Sequence, residues 1–343
     1  MSISKKIFGK LKDGREVESW TLKGTGGMVM EVITLGGIVR TIYAPNSQGN
    51  LDDVVLGYDT VKEYEEDAFF MGVTAGRVAG RIAFGKLSFE GREINLPMNE
   101  GPNHLHGGSQ GLNSCLWQAK PRGENNGSIS LELHYSSPDG ESGYPGEVEF
   151  RVIYTLTPDN EFIFETEAKV SEITPINLTH HSYFNLSGAG SGSIKEHELQ
   201  INSGLVFKCD ESMTLLDELI PVDGKASDFR SPALIGSRLN SLWQEHGDMY
   251  WIDHSTELKP IAKLFDSVSG RMLEVESTNH CLQAYFSSSL KDVTGKGGAV
   301  YPKFGAICLE CHGYPQSAGL KGFGEILAFP EKPQYHKTIY RFK

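Results

Sequence analysis

Alternation of apolar and polar residues with a period of two is the feature that most limits how this 343-residue chain can fold. Such alternation places apolar side chains on one face of an extended strand and polar side chains on the other. Turn residues interrupt it, as at Asp13-Gly14 and in GKLSFEGREINL (85–96), and each of these two places predicts a β-hairpin. Strands are also predicted for SISLELHY (128–135), EVEFRVIYTL (147–156), EFIFETEAKV (161–170), RMLEVES (271–277) and CLQAYFS (281–287).

Signals for helices are few and short. Thr60 followed by Glu63 forms a capping-box pattern, which predicts a helix of one or two turns over VKEYEED. Ser231-Pro232 has the pattern of a second helix start, with proline at the first helical position. Many strands without recurring helices, and no linker-like run, predict an all-β fold: a large antiparallel β-sandwich with a few short helices, forming one domain over residues 1–343.

Charge and composition exclude several classes of protein. The formal net charge is −12, and no basic cluster is richer than Ser4-Lys5-Lys6, so we expect no nucleic acid partner and no binding to an anionic membrane. No stretch approaches the roughly 18 apolar residues of a membrane span, and the charged first residues lack the apolar core of a signal peptide. We therefore expect a cytoplasmic protein whose five cysteines remain free thiols.

The segment GAICLECHGYP (305–315) contains a C-x-x-C-H pattern, which is typical of covalent haem attachment. On a strand, however, Cys308, Glu310 and His312 point to one face and Cys311 to the other, so the two cysteines cannot clamp one ligand. A second C-x-x-C, which a structural zinc site would need, is absent from the sequence. We therefore interpret the segment as a buried strand that delivers Glu310, since a carboxylate in an apolar run must be paired, hydrogen-bonded or functional.

Further reactive side chains gather in four short segments. NHLHGG (103–108) places two histidines on one face of an extended chain, before glycines that permit close backbone approach. The candidates are His104 and His106 there, His180 and His181 in NLTHHSYFNLSG (177–188), Asp253 and His254 in WIDH (251–254), and Arg77 and Arg81 in AGRVAGRIAFG (75–85).

Two site chemistries fit this set of side chains. One is a metal centre that uses His104 or His106, His181 and a carboxylate. The other is a metal-free pair in which an ionised glutamate is the base and a protonated histidine the acid. Their unperturbed pKa values, about 4.3 and about 6.5, make such a pair workable near neutral pH.

Taken together and in order, several motifs resemble those of the aldose 1-epimerases, or galactose mutarotases. They are NHLHGG, NLTHHSYFNL, an apolar run into Asp-His, LQAY, and AICLE before a turn with proline; the likeness extends from Gly36-Gly37 to the C-terminal Tyr-Arg-Phe. The resemblance implies a β-supersandwich with a sugar in a cleft across one sheet. It also implies interconversion of the α and β anomers of hexoses such as galactose and glucose, with no cofactor and no metal.

The resemblance also implies roles for particular residues. Glu310 matches the family's catalytic base and His181 its acid. The substrate-binding residues would be Arg81, His106, Tyr183, Asp253 and Gln283. A small monosaccharide is thus the expected partner of a monomer or homodimer.

Three departures from the family pattern bear on specificity. Gly80 replaces the asparagine that usually precedes the key arginine, the 284–288 segment is altered, and His180 stands where many relatives have asparagine. Three other functions remain open: a sugar-binding homologue without catalysis, a hexose-6-phosphate epimerase using Arg77 and Arg81, and a glycoside hydrolase using Asp253 and Glu310.

Overall fold

The computed structural model describes residues 1–242, 247–315 and 326–343. Antiparallel strands dominate these residues, which confirms the predicted all-β class. In chain order the strands are β1 (Ser2–Lys10), β2 (Glu16–Lys23), β3 (Val29–Ile33), β4 (Ile38–Pro45), β5 (Leu51–Asp53), β6 (Thr74–Ala75), β7 (Arg81–Ala83), β8 (Lys86–Phe89), β9 (Arg92–Asn95), β10 (Asn103–Leu105), β11 (Gln118–Asn125), β12 (Ser128–Ser137), β13 (Val148–Leu156), β14 (Glu161–Val170), β15 (Thr174–Pro175), β16 (Thr179–His180), β17 (His197–Ile201), β18 (Leu205–Cys209), β19 (Leu215–Pro221), β20 (Ala233–Leu234), β21 (Met249–Trp251), β22 (Lys259–Asp266), β23 (Met272–Ser277), β24 (Cys281–Tyr285), β25 (Val293–Thr294), β26 (Val300–Tyr301), β27 (Cys308–His312), β28 (Leu327–Ala328) and β29 (Gln334–Phe342).

Helical segments are short. Helix α1 (Val61–Glu65) begins after Thr60, whose side chain accepts from the Glu63 N–H while the Glu63 carboxylate accepts from the Thr60 N–H, so the predicted capping box is confirmed. The described 3₁₀ turns are Leu112–Ser114, Glu141–Gly143, Ile235–Ser237, Leu239–Ser241 and Lys296–Gly298. No helix in the described ranges is long and apolar enough to cross a membrane.

The helix predicted to start at Ser231-Pro232 is wrong. Ala233 and Leu234 instead pair with Leu199 and Glu198 of β17, and helical geometry begins only at Ile235 as a 3₁₀ turn. Pairing with the edge of a large sheet therefore overrides the local helix signal.

Three larger sheets form the framework of the described residues. One has nine strands in the order β11-β12-β13-β14-β29-β23-β22-β17-β20, and a second has β1 to β5 in sequence. The third, which we call the site sheet, has the order β19-β18-β21-β24-β27. Strands β1–β2 and β8–β9 are the two predicted hairpins.

The largest apolar cluster contains residues of all three sheets, and within it the site sheet packs against the nine-stranded sheet. Leu282, Leu309 and Cys311 of the site sheet pack in the same apolar cluster as Tyr340 of β29. The Tyr340 hydroxyl also donates to the Leu309 carbonyl at 3.0 Å. Because side chains alternate along a strand, the residues between these positions face away from the core. That outer face of the site sheet carries the cavity described next.

Candidate active site

A cavity of about 440 Å³ lies on the outer face of the site sheet. Three adjacent strands contribute side chains to it, among them Glu310 from β27, Gln283 from β24 and Met249 from β21. The register pairs Glu310 with Gln283 and Gln283 with Met249, so the three side chains form a row across the sheet. The volume suits a single small molecule.

The Glu310 carboxyl group is buried, with the residue only 2% exposed. Within the described residues no donor makes a hydrogen bond to it; the His181 imidazole approaches it, with Nε2 3.6 Å from Oε1. Burial raises the pKa of Glu310 to about 8, against a smaller lowering by the positive charge of Arg81. A buried carboxyl without hydrogen-bond donors costs stability, which marks it as a functional candidate.

His181 lies just beyond the end of β16 and is also buried. Burial lowers its pKa to about 4. Its Nδ1 is buried without a hydrogen-bond partner in the described parts of the chain, so Nε2 is the nitrogen that meets Glu310. The unperturbed pKa values of glutamate and histidine therefore do not apply to Glu310 and His181, because burial favours the neutral form of each group. Between about pH 4 and pH 8 the pair holds one proton.

His106 occupies a backbone conformation that most residues avoid, with φ of 51°. The next residue, Gly107, has φ of 90°, and a Cβ there would lie 1.8 Å from the Gly76 carbonyl oxygen, so the predicted close backbone approach is confirmed. The Gly80 N–H donates to His106 Nδ1 at 3.2 Å. In the neutral ring this leaves the proton on Nε2, and burial lowers the His106 pKa well below its ordinary value.

This tautomer bears on the possible metal centre. Potential ligand atoms of His106, His181 and Glu310 lie within 4.8 Å of one another, the only such group found among the described residues. A metal needs an unprotonated imidazole nitrogen, whereas the Gly80 N–H occupies the unprotonated nitrogen of His106. His106 is thus set up as a hydrogen-bond donor to an oxygen rather than as a metal ligand.

Arg81 also lines the cavity, at the start of β7. Its guanidinium binds Glu100 through two nitrogens, at 3.0 and 2.7 Å, which fixes its orientation. Arginine has more donors than this pair uses, so N–H groups remain for a ligand.

Tyr183 lies beneath His181, with ring centroids 5.2 Å apart. Its hydroxyl donates to the Phe69 carbonyl at 2.6 Å and so supports the loop that brings Phe70 into the cavity. Tyr285, two residues beyond Gln283 on β24, is 6.3 Å from the His181 ring and lines the same wall. The rings of Tyr183 and Tyr285 thus pack against His181.

Asp253 does not lie among these residues. Strand β21 ends at Trp251, and the Asp253 side chain is 50% exposed, ion-paired with Lys259 at 3.1 Å. Its carboxylate also accepts from the Ser255 N–H, which is typical of a turn. The structure therefore does not place Asp253 at the cavity with the other predicted binding residues, and β21 presents Met249 there instead.

Three other candidates have structural partners outside the cavity. His104 binds the Pro97 carbonyl and the Tyr144 hydroxyl. His180 lies among core aromatic rings and contacts the Ser182 hydroxyl, and burial lowers its pKa to about 3. Arg77 is buried and donates to Ser137 and to backbone carbonyls.

Sequence reasoning did not assign Glu100, Phe70, Met249 or His312, all of which line the cavity. His312 alone carried a usable signal, because alternation places it on the same strand face as Glu310. The same alternation puts Cys311 and Cys308 in different apolar clusters, so the prediction that the two cysteines face opposite ways is confirmed. All five cysteines are free.

Comparison with known proteins agrees with this fold and cavity. A model of the aldose 1-epimerase family matches residues 18–341. The galactose mutarotase of Sus scrofa is 37% identical over 345 residues, covering all of this chain and 99% of the pig protein. The aldose 1-epimerase of Escherichia coli is 31% identical over 312 residues, covering 89% of this chain and 88% of the bacterial protein.

Solved structures resemble the chain over nearly its full length. An aldose epimerase homologue from C. elegans superposes with a TM-score of 0.86 at 26% identity, covering 94% of this chain and 98% of that one. A galactose 1-epimerase from Lactobacillus acidophilus has the same TM-score at 24% identity and shares the fold, covering 100% of this chain and 99% of its own. The chain therefore belongs to the aldose 1-epimerase family.

Proposed function

We propose that this protein is an aldose 1-epimerase that interconverts the α and β anomers of hexoses such as galactose and glucose. One observation carries the proposal: His181 and Glu310 approach within 3.6 Å on the wall of one sugar-sized cavity. Near neutral pH one group of this pair carries a proton and the other does not, so the pair can supply one acid and one base.

The reaction moves protons and breaks one bond. A base takes the proton of the O1 hydroxyl, the C1–O5 bond opens, and an acid protonates O5 to give the open-chain aldehyde. Rotation about C1–C2 presents the other carbonyl face, and the two groups reverse their roles as the ring closes. Since O1 and O5 are bonded to the same carbon, two groups a few ångströms apart can reach both.

Glu310 acts as the base at O1 and His181 as the acid at O5. In the free protein burial keeps the shared proton on the carboxyl group. The reactive form is the one with this proton on His181 Nε2, in which the positive charge of Arg81 stabilises the Glu310 carboxylate. Each positioned proton transfer of this kind contributes about 10²- to 10⁴-fold to the rate.

Binding residues keep C1 aligned with this pair. Arg81, held by Glu100, and the Nε2–H of His106 donate to sugar oxygens, while Gln283 offers an amide beside Glu310. Tyr183 supports His181 from below. Such fixed geometry lowers the entropy cost of reaching the transition state.

The alternatives have weaker support. A phosphate site would need several cationic groups, yet Arg77 is committed to backbone carbonyls and Arg81 to Glu100. A hydrolase needs two carboxyl groups across the scissile bond, but Asp253 lies outside the cavity and Glu100 is paired with Arg81. Localisation in the cytoplasm fits five free cysteines but stays a prediction, as do a single domain and a monomeric or dimeric state.

Polarimetry tests the proposal. The optical rotation of freshly dissolved α-D-glucose or α-D-galactose should approach equilibrium faster with the protein than without it. Glu310→Gln, purified identically, controls for contaminating epimerase and should give no acceleration. Sugar binding without acceleration by the wild-type protein would instead indicate a non-catalytic binder. Release of reducing sugar from an aryl glycoside would indicate a hydrolase.

A further inference from the structure

His312 is a cavity residue with no role in the proton transfers described above. It projects from β27 on the same face as Glu310, two residues further along, and is 2% exposed. It lines the cavity together with Gly80 and Pro315. A buried imidazole in such a position must satisfy both ring nitrogens or offer one of them to a ligand.

Contacts with the following turn fix the tautomer of His312. Its Nδ1 lies 2.7 Å from the Gly313 carbonyl oxygen and 3.4 Å from the Asn177 amide nitrogen, and because the carbonyl contact is much the shorter, Nδ1 carries a proton that it donates to the carbonyl. Asn177 holds Gly313 in place, accepting from its N–H at 2.7 Å and donating to its carbonyl at 3.0 Å. Burial lowers the pKa of His312 to about 4, so the ring is neutral. Nε2 is then a hydrogen-bond acceptor, and the described residues provide no donor for it.

The ring and the adjacent proline occupy the space beside Gly80. A Cβ at position 80 would lie 2.4 Å from Pro315 Cγ and 3.6 Å from His312 Cε1. An asparagine at position 80 would therefore not fit in this chain. His312 supplies the polar group at this corner of the cavity.

The arrangement of strands indicates which part of a sugar meets His312. His181 lies on the Tyr285 side of Glu310, because Tyr285 pairs with Cys308, two residues before Glu310. His312 lies two residues after Glu310, which is about 7 Å along the strand in the opposite direction. With O1 at Glu310 and O5 at His181, the C1–C2 bond points away from His181. A sugar bound in this way can present its C2 hydroxyl on the His312 side of Glu310.

From this geometry we propose that His312 accepts a hydrogen bond from the C2 hydroxyl and makes the enzyme selective for aldoses that carry it over 2-deoxy aldoses. The inference rests on the proposed anomer exchange and adds a substrate class to it. A buried acceptor left without a donor penalises the 2-deoxy sugar, because the sugar displaces water from Nε2 without replacing its hydrogen bond.

The test compares D-glucose with 2-deoxy-D-glucose by polarimetry, with the spontaneous rate subtracted for each sugar. Wild-type kcat/KM should be about tenfold higher for glucose, as expected for one lost hydrogen bond at a desolvated site. His312→Leu should lower kcat/KM for glucose alone, so that the ratio falls near one. His312→Gln keeps a neutral acceptor and should retain part of the ratio.

Two results would overturn the proposal. One is a wild-type ratio of kcat/KM for glucose to that for 2-deoxyglucose near one. This result overturns the proposed selectivity even if His312→Leu fails to fold. The other is an equal loss for both sugars in His312→Leu, since that would indicate a purely structural role. Failure of the wild-type protein to accelerate either sugar would instead contradict the proposed function itself.

Discussion

Replacement of Glu310 by glutamine should abolish turnover and at the same time stabilise the protein. Glutamine keeps the shape of the side chain but cannot take a proton from O1, so kcat should fall by at least about 10²-fold. The stability gain has a separate origin, because the wild-type carboxyl group gives up part of its preferred ionisation when the chain folds. Its pKa rises from an ordinary value of 4.5 to about 8.

The size of this gain depends on pH. Above pH 4.5 the unfolded chain ionises Glu310 while the folded protein retains its proton up to about pH 8. Each pH unit in this window therefore lowers the free energy of unfolding of the wild-type protein by about 1.4 kcal/mol, and no further beyond pH 8. Since glutamine does not titrate, Glu310→Gln should be more stable by less than about 1 kcal/mol at pH 5 and by about 3 kcal/mol at pH 7.

Urea denaturation at pH 5 and pH 7 measures this difference. The midpoint of Glu310→Gln should exceed that of the wild-type protein at pH 7 and nearly match it at pH 5, with the slope m unchanged. Glu124→Gln is the control, because that glutamate is exposed on β11 and should show neither effect. Equal or lower stability of Glu310→Gln at pH 7 would refute the account of a buried carboxyl group with a raised pKa.

Further changes probe other parts of the site. His181→Asn should reduce kcat about as strongly as Glu310→Gln while circular dichroism shows a retained fold; wild-type rates would exclude His181 as the acid. Arg81→Lys should raise KM and lower kcat, because lysine cannot bind Glu100 through two nitrogens and also meet the sugar; unchanged steady-state kinetics would argue against sugar contact. Gly107→Ala should lower the free energy of unfolding by more than about 2 kcal/mol in urea titrations, because its Cβ meets the Gly76 carbonyl. Gly123→Ala, with φ of 83° and open space around its Cβ, should cost only about 1 kcal/mol, and equal losses would contradict the steric argument.

Strand periodicity predicted much of the fold because alternation is a local property of the sequence. Strands β12, β13 and β14 lie within one or two residues of the predicted segments. The same alternation on β27 correctly separated the face of Glu310 from that of Cys311. The helix prediction at Ser231-Pro232 is wrong because the strand there pairs with β17, which lies more than 30 residues away in sequence.

The site was less accessible to sequence reasoning for the same reason. Met249 and Glu100 reach the cavity through strand register and through the Arg81 ion pair, neither of which a linear pattern records. The Asp-His motif of the family resemblance points to Asp253, but β21 ends two residues earlier and leaves this side chain half exposed and paired with Lys259. Likewise, burial of the acid/base pair, and hence its pKa values, follows only from the packed structure.

The pH dependence of kcat/KM tests the shared proton most directly. Below about pH 4 both groups are protonated and no base remains, whereas above about pH 8 both are deprotonated and no acid remains. Polarimetric rates, corrected for buffer catalysis, should therefore give kcat/KM that is level from about pH 5 to pH 7 and falls on either side. A decline that begins near pH 6.5, the value of an unperturbed imidazole, would contradict the account.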